Sequence, residues 1–335
     1  MFDISMEKYF SSQQKYEQMP KIVYHYCSLE TFISIIKNST IRLSHVTKSN
    51  DVEELKYIIP FLKIALKKSI KYYNELEEFE YSLDPEMADR VVDAYFNDDS
   101  REVYVCCFSE TTELVDQWAR YADQSKGVAI GFSTDNLVKL QTLNTNYAFG
   151  KIIYDAKYVI TELCDIIDEE YQNKKTINAL NITTYENVIN NIVKTILEYS
   201  SLYKNPAFKQ EREWRLIYNP FNKIKHIESS YVFNDVLLEA NEYCYPQVGF
   251  KRRSYEFKAV DDNLNLTSYI DLDFSTIKQY FIKEIIIGNQ SKLTPLDSDL
   301  QLFLSSYGYT SSFYGTNNSI KLSKSSIPYN KVSHK

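Results

Sequence analysis

The first clear pattern along the chain is an alternation of residues that turns into a helical stripe. Residues 21–26 alternate, so that Tyr24 and Tyr26 share one face of a predicted β-strand and His25 lies on the other. Ser28 follows as a helix N-cap, which predicts that a helix begins at once. Its apolar positions recur at i, i+3, i+4 and i+7, and they are Leu29, Phe32, Ile33 and Ile36.

Similar patterns predict further strands and helices along the rest of the chain. Apolar or alternating runs predict strands at 41–43, 103–108, 127–132, 151–154, 211–218, 284–288 and 320–328. Helical periodicity starts at Asn50 with an apolar face at Leu55, Ile59, Leu62 and Leu66, continues in charge-rich sequence to about Asp99, and returns at 116–122. The order of elements is not a strict βαβ alternation, so we predict an α+β fold.

Domain organisation follows from composition shifts along this pattern. Residues 1–20 are polar, end at Pro20 and predict a short N-terminal arm. Residues 156–203 have helical periodicity with many Asn, Glu and Lys, which predicts a largely solvated helical insertion. We therefore predict a single α+β domain over 21–335 that carries this insertion.

Composition narrows the class of protein. Charged residues make up 25% and hydrophobic residues 44% of the 335, as in ordinary globular proteins, and the formal net charge is −7. A chain with this charge has no global basic field for nucleic acid or an anionic membrane. The five cysteines include no CxxC pair, and the start MFDISMEKYF lacks a secretory pattern. We expect a cytoplasmic protein with reduced thiols and no membrane association.

The segment 211–218 carries the strongest chemical pattern. Common nucleotide and hydrolase fingerprints are missing from the sequence. Period two places Glu211, Glu213 and Arg215 on one strand face, opposite Trp214. Carboxylates on alternate strand positions are roughly 7 Å apart, close enough to bind one ligand, and a guanidinium can orient them. The alternative is a solvated charged face without a ligand.

Other candidate residues each have a structural explanation beside the functional one. His25 lies near the end of a strand, where a histidine either serves a site or makes a structural hydrogen bond. Asn50 and Asp51, with Glu54 three residues on, fit a helix capping box. Trp118 and Tyr121 are spaced i, i+3 on the helix predicted at 116–122, which indicates either packing or the wall of a pocket.

Four blocks, in chain order, resemble an uncharacterised bacterial family. They are His25-Tyr26-Cys27-Ser28, Asn50-Asp51 with Glu54, Cys107 through Phe132, and Glu211 through Arg215. The first block and the helix after it also resemble the opening of the ADP-ribosyltransferase fold, although Tyr26 stands where that superfamily usually has Gly. This resemblance implies a split, mixed β-sheet core with flanking helices, and NAD as the substrate.

The resemblance also implies roles for single residues. Glu213 would bind the 2′-hydroxyl of the nicotinamide ribose and stabilise the oxocarbenium-like state as nicotinamide leaves. Glu211 would position or deprotonate the acceptor, and Arg215 would hold both carboxylates in place. His25 would hydrogen-bond the adenosine ribose of NAD, and Ser28 would contact the nicotinamide amide region.

Further residues are expected around the same dinucleotide. Tyr121 or Trp118 would stack on nicotinamide. Asn50 and Asp51 belong to the same expected set of NAD-binding residues, since they form one of the four blocks. No metal is expected in this reaction.

The sequence-based hypothesis is therefore an NAD-consuming enzyme that transfers ADP-ribose to a macromolecule, protein or nucleic acid, or hydrolyses NAD. Such enzymes occur as toxins and anti-phage defence effectors, so a regulatory or antitoxin partner is expected. One alternative is a metal-dependent nuclease in which Asp51, Glu211 and Glu213 gather a magnesium ion. Another is a non-catalytic module that senses a nucleotide or binds a partner.

Overall fold

A computed structural model describes most of the chain. The described residues are 19–46, 56–76, 83–96, 103–143, 146–155, 200–219, 256–260, 265–312 and 319–328, with further helical positions between 160 and 196. They form two compact units. The helical unit draws on 46–103 and 151–210, and the sheet unit on 19–45, 104–150 and 211–335. The sequence-based boundaries, an arm over 1–20 and one domain over 21–335, stay a prediction.

The sheet unit contains the strands and most of the short helices. Its strands are β1 (Ile22–Cys27), β2 (Thr40–His45), β3 (Tyr104–Ser109), β4 (Val128–Ser133), β5 (Tyr147–Lys151), β6 (Glu213–Tyr218), β7 (Glu256–Val260), β8 (Asn265–Asp273), β9 (Ile282–Ile287), β10 (Ser311–Ser312) and β11 (Ile320–Lys324). In chain order over the whole protein, the helices are α1 (Leu29–Asn38), α2 (Ile59–Glu75), α3 (Met87–Phe96), α4 (Val115–Arg120), α5 (Thr134–Leu143), α6 (Lys278–Phe281) and α7 (Ser298–Ser306).

The described strands join in one mixed, open sheet. Its order is β10-β11-β9-β4-β1-β3-β2-β8-β7, and β6 pairs with both β3 and β5. The pairs β10–β11 and β9–β11 are parallel, whereas β1–β4, β3–β6 and β4–β9 are antiparallel. This architecture confirms the predicted α+β class.

The first strand and helix form largely as their sequence predicts. Ser28 caps α1, because its Oγ accepts a hydrogen bond of 3.2 Å from the backbone N–H of Thr31. The buried side chains of α1 are Phe32, Ile35 and Ile36, whereas Ile33 is 48% exposed. The predicted stripe is therefore wrong at one position: the helix buries Ile35 instead of Ile33.

Several predicted elements are displaced or were not predicted. The strand expected at 151–154 is β5, at Tyr147–Lys151. The helix expected to begin at Asn50 is described only from Ile59, where Pro60 occupies the first turn, a position that proline favours. Asn50, Asp51, Glu54 and Leu55 lie outside the described residues. Neither β7, β8 nor α7 was predicted from the sequence.

The helical unit has an apolar interior of its own. Helix α2 buries residues that include Leu62, Leu66 and Ile70. Between 160 and 196 the fully buried helical residues are Leu163, Ile167, Ile189 and Val193. Most described positions of the predicted insertion are helical, and these four apolar side chains are buried; its boundaries stay a prediction.

Candidate functional site

Strand pairing defines which side chains share a face of the central sheet. Tyr24 of β1 pairs with Ser109 of β3, and Ser109 pairs with Glu213 of β6. Side chains of directly paired residues lie on the same face of a sheet, and neighbours along a strand alternate. We call the side carrying Tyr24, Ser109 and Glu213 the near face and the opposite side the far face.

The near face carries the charged residues of the β6 segment. Cys107 pairs with Arg215, so both belong to the near face together with Glu213. Glu213 is 5% exposed and Arg215 is 1% exposed, and Arg215 Nε donates a hydrogen bond of 2.7 Å to Glu213 Oε1. Their face is thus buried, not solvated. A buried carboxylate needs such a partner, because an unpaired charge in the interior is strongly destabilising.

Glu211 does not share this strand face. Strand β6 begins at Glu213, whereas Glu211 ends a 3₁₀ helix at Pro206–Glu211. Between them Arg212 has φ of 46°, a left-handed conformation that breaks the period-two alternation. The prediction that Glu211 projects beside Glu213 is wrong for this reason. Instead, the backbone carbonyl of Glu211 accepts a hydrogen bond of 3.1 Å from Ser109 Oγ.

Cys107 is the accessible residue of this part of the near face. It is exposed, although it lies in the middle of β3 between Cys106 and Phe108, both of which are buried. Its direct partner on β6 is Arg215, and Glu213 lies on the same face two residues before Arg215. Burial among surrounding atoms and the negative charge of Glu213 raise the pKa of Cys107 well above its ordinary value. The thiol is therefore protonated at neutral pH.

His25 lies at a fork in the sheet. On one edge of β3, Ser109 pairs with β1, whereas Tyr104 and Val105 pair with β2. Among the described residues, positions 106–108 have no strand partner on this edge. His25 fills the gap, because its Nδ1 lies 3.0 Å from the backbone oxygen of Cys107. A carbonyl oxygen can only accept, so Nδ1 carries the proton and Nε2 the lone pair.

The surroundings of His25 keep its ring neutral. The Cys106 Sγ atom lies 3.7 Å from Nδ1, and the ring packs edge-on against Phe108. Desolvation lowers the pKa of His25, opposed in part by its hydrogen bond to the Cys107 carbonyl. Because His25 is the chain neighbour of Tyr24, it belongs to the far face. The structure therefore places His25 and Glu213 on opposite faces of the sheet, although the resemblance implied that both contact one NAD molecule.

A second polar contact lies on the near face, at the β9 side. Gly131 of β4 pairs with Tyr24 on one side and with Glu284 on the other. Tyr24 Oη donates a hydrogen bond to Glu284 across the glycine. A Cβ at Gly131 would lie 2.8 Å from the Cγ of Glu284, so glycine leaves the room for this contact. Desolvation and the Glu284 carboxylate raise the pKa of Tyr24.

The remaining predicted site residues have structural partners or are not described. Ser28 caps α1, where its side chain accepts a hydrogen bond from the backbone N–H of Thr31. Trp118 is fully buried, packs edge-on against Tyr26 at 5.1 Å between ring centroids and donates its indole N–H to the carbonyl of Thr112. Stacking of Trp118 on a ligand is therefore ruled out in this conformation. Tyr121 is half-buried beside the same cluster, at the end of α4. Asn50 and Asp51 lie outside the described residues.

Sequence reasoning missed Cys107, Ser109, Tyr24 and Glu284 as members of this face. A signal was present for Cys107, since it occurs inside an otherwise apolar strand run. The register that joins these residues across strands has no signature in the sequence. Among the described residues, no three His, Cys, Asp or Glu side chains gather as metal ligands, and no helix is long and apolar enough to cross a membrane.

The described residues form an α+β protein with a mixed, open sheet that carries the buried Glu213–Arg215 pair on its near face. Residues 117–216 match a family model, DUF2971, whose description is protein of unknown function. The match covers the segment from α4 to the middle of β6, and so includes both Glu213 and Arg215. No curated protein and no solved structure matches the chain significantly.

Proposed function

We propose that this protein is an NAD-consuming enzyme and that Glu213 is its catalytic carboxylate. The observation that carries the proposal is the pairing of a buried, charge-balanced carboxylate with an accessible neighbour. Glu213 is held by Arg215 Nε at 2.7 Å, and Cys107 beside it is exposed. A carboxylate fixed before the substrate arrives stabilises positive charge without reorganisation of its surroundings.

The proposed reaction breaks the bond between the nicotinamide nitrogen and the anomeric carbon of ribose. The bonding electrons leave with nicotinamide, and the ribosyl group becomes oxocarbenium-like. The Glu213 carboxylate stabilises this cation and accepts a hydrogen bond from the ribose 2′-hydroxyl. Water, or a nucleophile of a protein or nucleic acid, then forms the new bond to the anomeric carbon and loses its proton.

The proposal assigns fewer residues to NAD than the resemblance implied. The hydrogen bond from Arg215 Nε to Glu213 Oε1 supports the proposed role of Arg215 in orienting this carboxylate. The proposal assigns no ribose contact to His25, which lies on the far face, and no stacking to the fully buried Trp118. Catalysis in this proposal rests on the near face alone.

Nicotinamide release tests the proposal directly. The purified chain is incubated with NAD, with and without magnesium, alongside Glu213→Gln and the control Glu113→Gln in an exposed loop. We expect release by the wild type without magnesium, a loss of about 10²-fold or more in Glu213→Gln, and no change in the control. Circular dichroism verifies that each variant is folded.

The alternatives give different results in the same experiment. NAD binding without nicotinamide release would favour a non-catalytic sensing module. Cleavage of DNA or RNA that requires magnesium would favour a nuclease. If the wild type neither binds NAD nor releases nicotinamide with protein, DNA or RNA present as acceptor, the proposal is wrong.

A further inference from the structure

Six directly paired residues form one row across the near face, from β11 to β6. In order across the sheet they are Lys321, Glu284, Gly131, Tyr24, Ser109 and Glu213. Neighbouring strands are about 4.8 Å apart, so Tyr24 lies about 10 Å and Gly131 about 14 Å from Glu213 across the strands. The candidate carboxylate is therefore part of a long row of residues that share one face.

The side chain of Tyr24 extends along this row, away from Glu213. Its hydroxyl donates a hydrogen bond to Glu284, which lies on the strand beyond Gly131. A Cβ at Gly131 would lie 3.2 Å from Tyr24 Cε1, so the ring is in contact with the position of the glycine. The absence of a side chain at Gly131 leaves the space in which the ring of Tyr24 lies across the sheet.

The ring of Tyr24 is held in place at both ends. Its backbone belongs to β1, and its hydroxyl is bound to Glu284 Oε1. Glu284 is itself restrained, because it is 9% exposed and its Oε2 lies 3.9 Å from Lys321 Nζ. Tyr24 is only partly buried. It therefore presents a rigid aromatic surface, and a ligand that stacks on such a surface pays little to order it.

We propose that Tyr24 is the residue on which the adenine of NAD stacks while Glu213 contacts the nicotinamide ribose. This inference rests on the proposed function, which places that ribose at Glu213. Nicotinamide is bonded directly to the same ribose, so it does not reach the ring over Gly131. Adenine is separated from that ribose by the diphosphate and a second ribose, which lets it lie further along the row. Aromatic side chains bind nucleobases by stacking on their π-faces.

The first experiment measures the binding of the two halves of NAD by calorimetry. AMP carries the adenine half, and nicotinamide mononucleotide carries the half that contacts Glu213. We expect Tyr24→Leu to weaken AMP binding by about tenfold or more, because the stacking surface is lost. Binding of nicotinamide mononucleotide should not change. Tyr24→Phe keeps the ring and should retain most of the affinity for AMP.

The matched control is Tyr280→Leu. Tyr280 is 51% exposed on α6, next to Phe281, which belongs to the far-face core. This substitution also replaces a tyrosine by leucine, and it should leave the binding of both ligands unchanged. Circular dichroism verifies that each variant is folded.

The second experiment uses the kinetics of nicotinamide release. Adenine takes no part in the bond that breaks, so its stacking contributes equally to the ground state and the transition state. We expect Tyr24→Leu to raise the KM for NAD by about tenfold with kcat nearly unchanged. With nicotinamide mononucleotide as substrate, the same substitution should change neither constant.

The two experiments separate failure of this inference from failure of the proposed function. The inference is wrong if the wild type does not bind AMP at millimolar concentration, or if Tyr24→Leu binds AMP as well as the wild type does. It is also wrong if Tyr24→Leu weakens nicotinamide mononucleotide instead of AMP, since the ring then contacts the other end of NAD. If AMP binding depends on Tyr24 but no nicotinamide is released from NAD, the adenine site stands and the proposed enzymatic function is wrong.

Discussion

The two faces of β3 and β6 carry different chemistry. On the far face of β3 and β6, Phe108 and Trp214 pack with Phe149. The rings of Phe149 and Trp214 are stacked, with 5.4 Å between their centroids. On the near face, the residues next to them in the chain are Cys107 and Arg215. A shift of one residue along a strand thus changes a closed aromatic core into a polar face with an accessible thiol.

Polar and charged groups on both faces of these strands have local partners. The far face excludes water by packing apolar side chains, and each polar group there needs a local partner, as His25 has in the Cys107 carbonyl. On the near face, Glu213 and Arg215 lie two residues apart on β6 and form a direct ion pair. On β3 and β6 the far face contributes apolar packing and the near face a buried ion pair, so substitutions on the two faces should have different signatures.

The largest effects are expected at the neighbouring residues Trp214 and Arg215. Trp214→Ala should lower the free energy of unfolding by about 3–5 kcal/mol, because it leaves a cavity in the far-face core. Arg215→Ala should lower it by a similar amount, about 3–5 kcal/mol, because it leaves the Glu213 carboxylate buried without this partner. Urea denaturation measures both changes.

A second substitution distinguishes the two causes. Adding Glu213→Gln to Arg215→Ala removes the uncompensated charge, so we expect at least about 1 kcal/mol to be regained. The same addition to Trp214→Ala should regain nothing, since the two side chains lie on opposite faces. Equal behaviour of both double variants would contradict the division of the sheet into two chemically distinct faces.

An intermediate effect is expected from Gly131→Ala on the near face. The added Cβ would lie 2.8 Å from both Glu284 Cγ and Ile22 Cγ2, so neighbouring side chains must shift. We expect a loss of about 1–3 kcal/mol in the free energy of unfolding. In a Glu284→Ala background one of the two clashes is gone, and Gly131→Ala should then cost less. An equal cost in both backgrounds would show that Glu284 does not reach across Gly131.

A pH-dependent effect is expected from His25 on the far face. Its pKa in the folded chain is lowered from the ordinary value of 6.5, so the unfolded chain binds the proton more tightly. The contribution to stability is therefore fully present above pH 6.5 and is lost as the pH falls below it. His25→Gln keeps a donor for the Cys107 carbonyl but does not titrate. Its free energy of unfolding should fall less steeply than that of the wild type between pH 7 and pH 5.

The smallest effect is expected from the exposed arginine of the near face. Arg42 of β2 makes two hydrogen bonds to Asp271, at 2.9 and 3.1 Å, but its side chain is 45% exposed. Exposed ion pairs contribute little, so Arg42→Ala should cost about 1 kcal/mol or less. A cost as large as that of Arg215→Ala would show that burial is not what separates the two arginines.

Local patterns predicted most of the elements that contain these residues. Alternation found β1, compact apolar runs found β3 and β4, and the Ser28 cap fixed the start of α1. Prediction was poorest where backbone conformation broke a pattern. Nothing in the residue types 211–215 shows that Arg212 takes a positive φ and removes Glu211 from the strand. Strands β7 (EFKAV) and β8 (NLTSYIDLD) contain short alternating runs, but they were not predicted.

By itself, the sequence determined the α+β class and the presence of Glu213 and Arg215 on one face of a strand, because period-two alternation is a local property. Only the tertiary structure decided that this face is buried, that Cys107 joins it and that His25 belongs to the other side. Those outcomes depend on strand register and on the fork at β3, which arise from pairing between residues far apart in the chain. Register is set by the packing of whole strands, so residue types within one strand do not specify it.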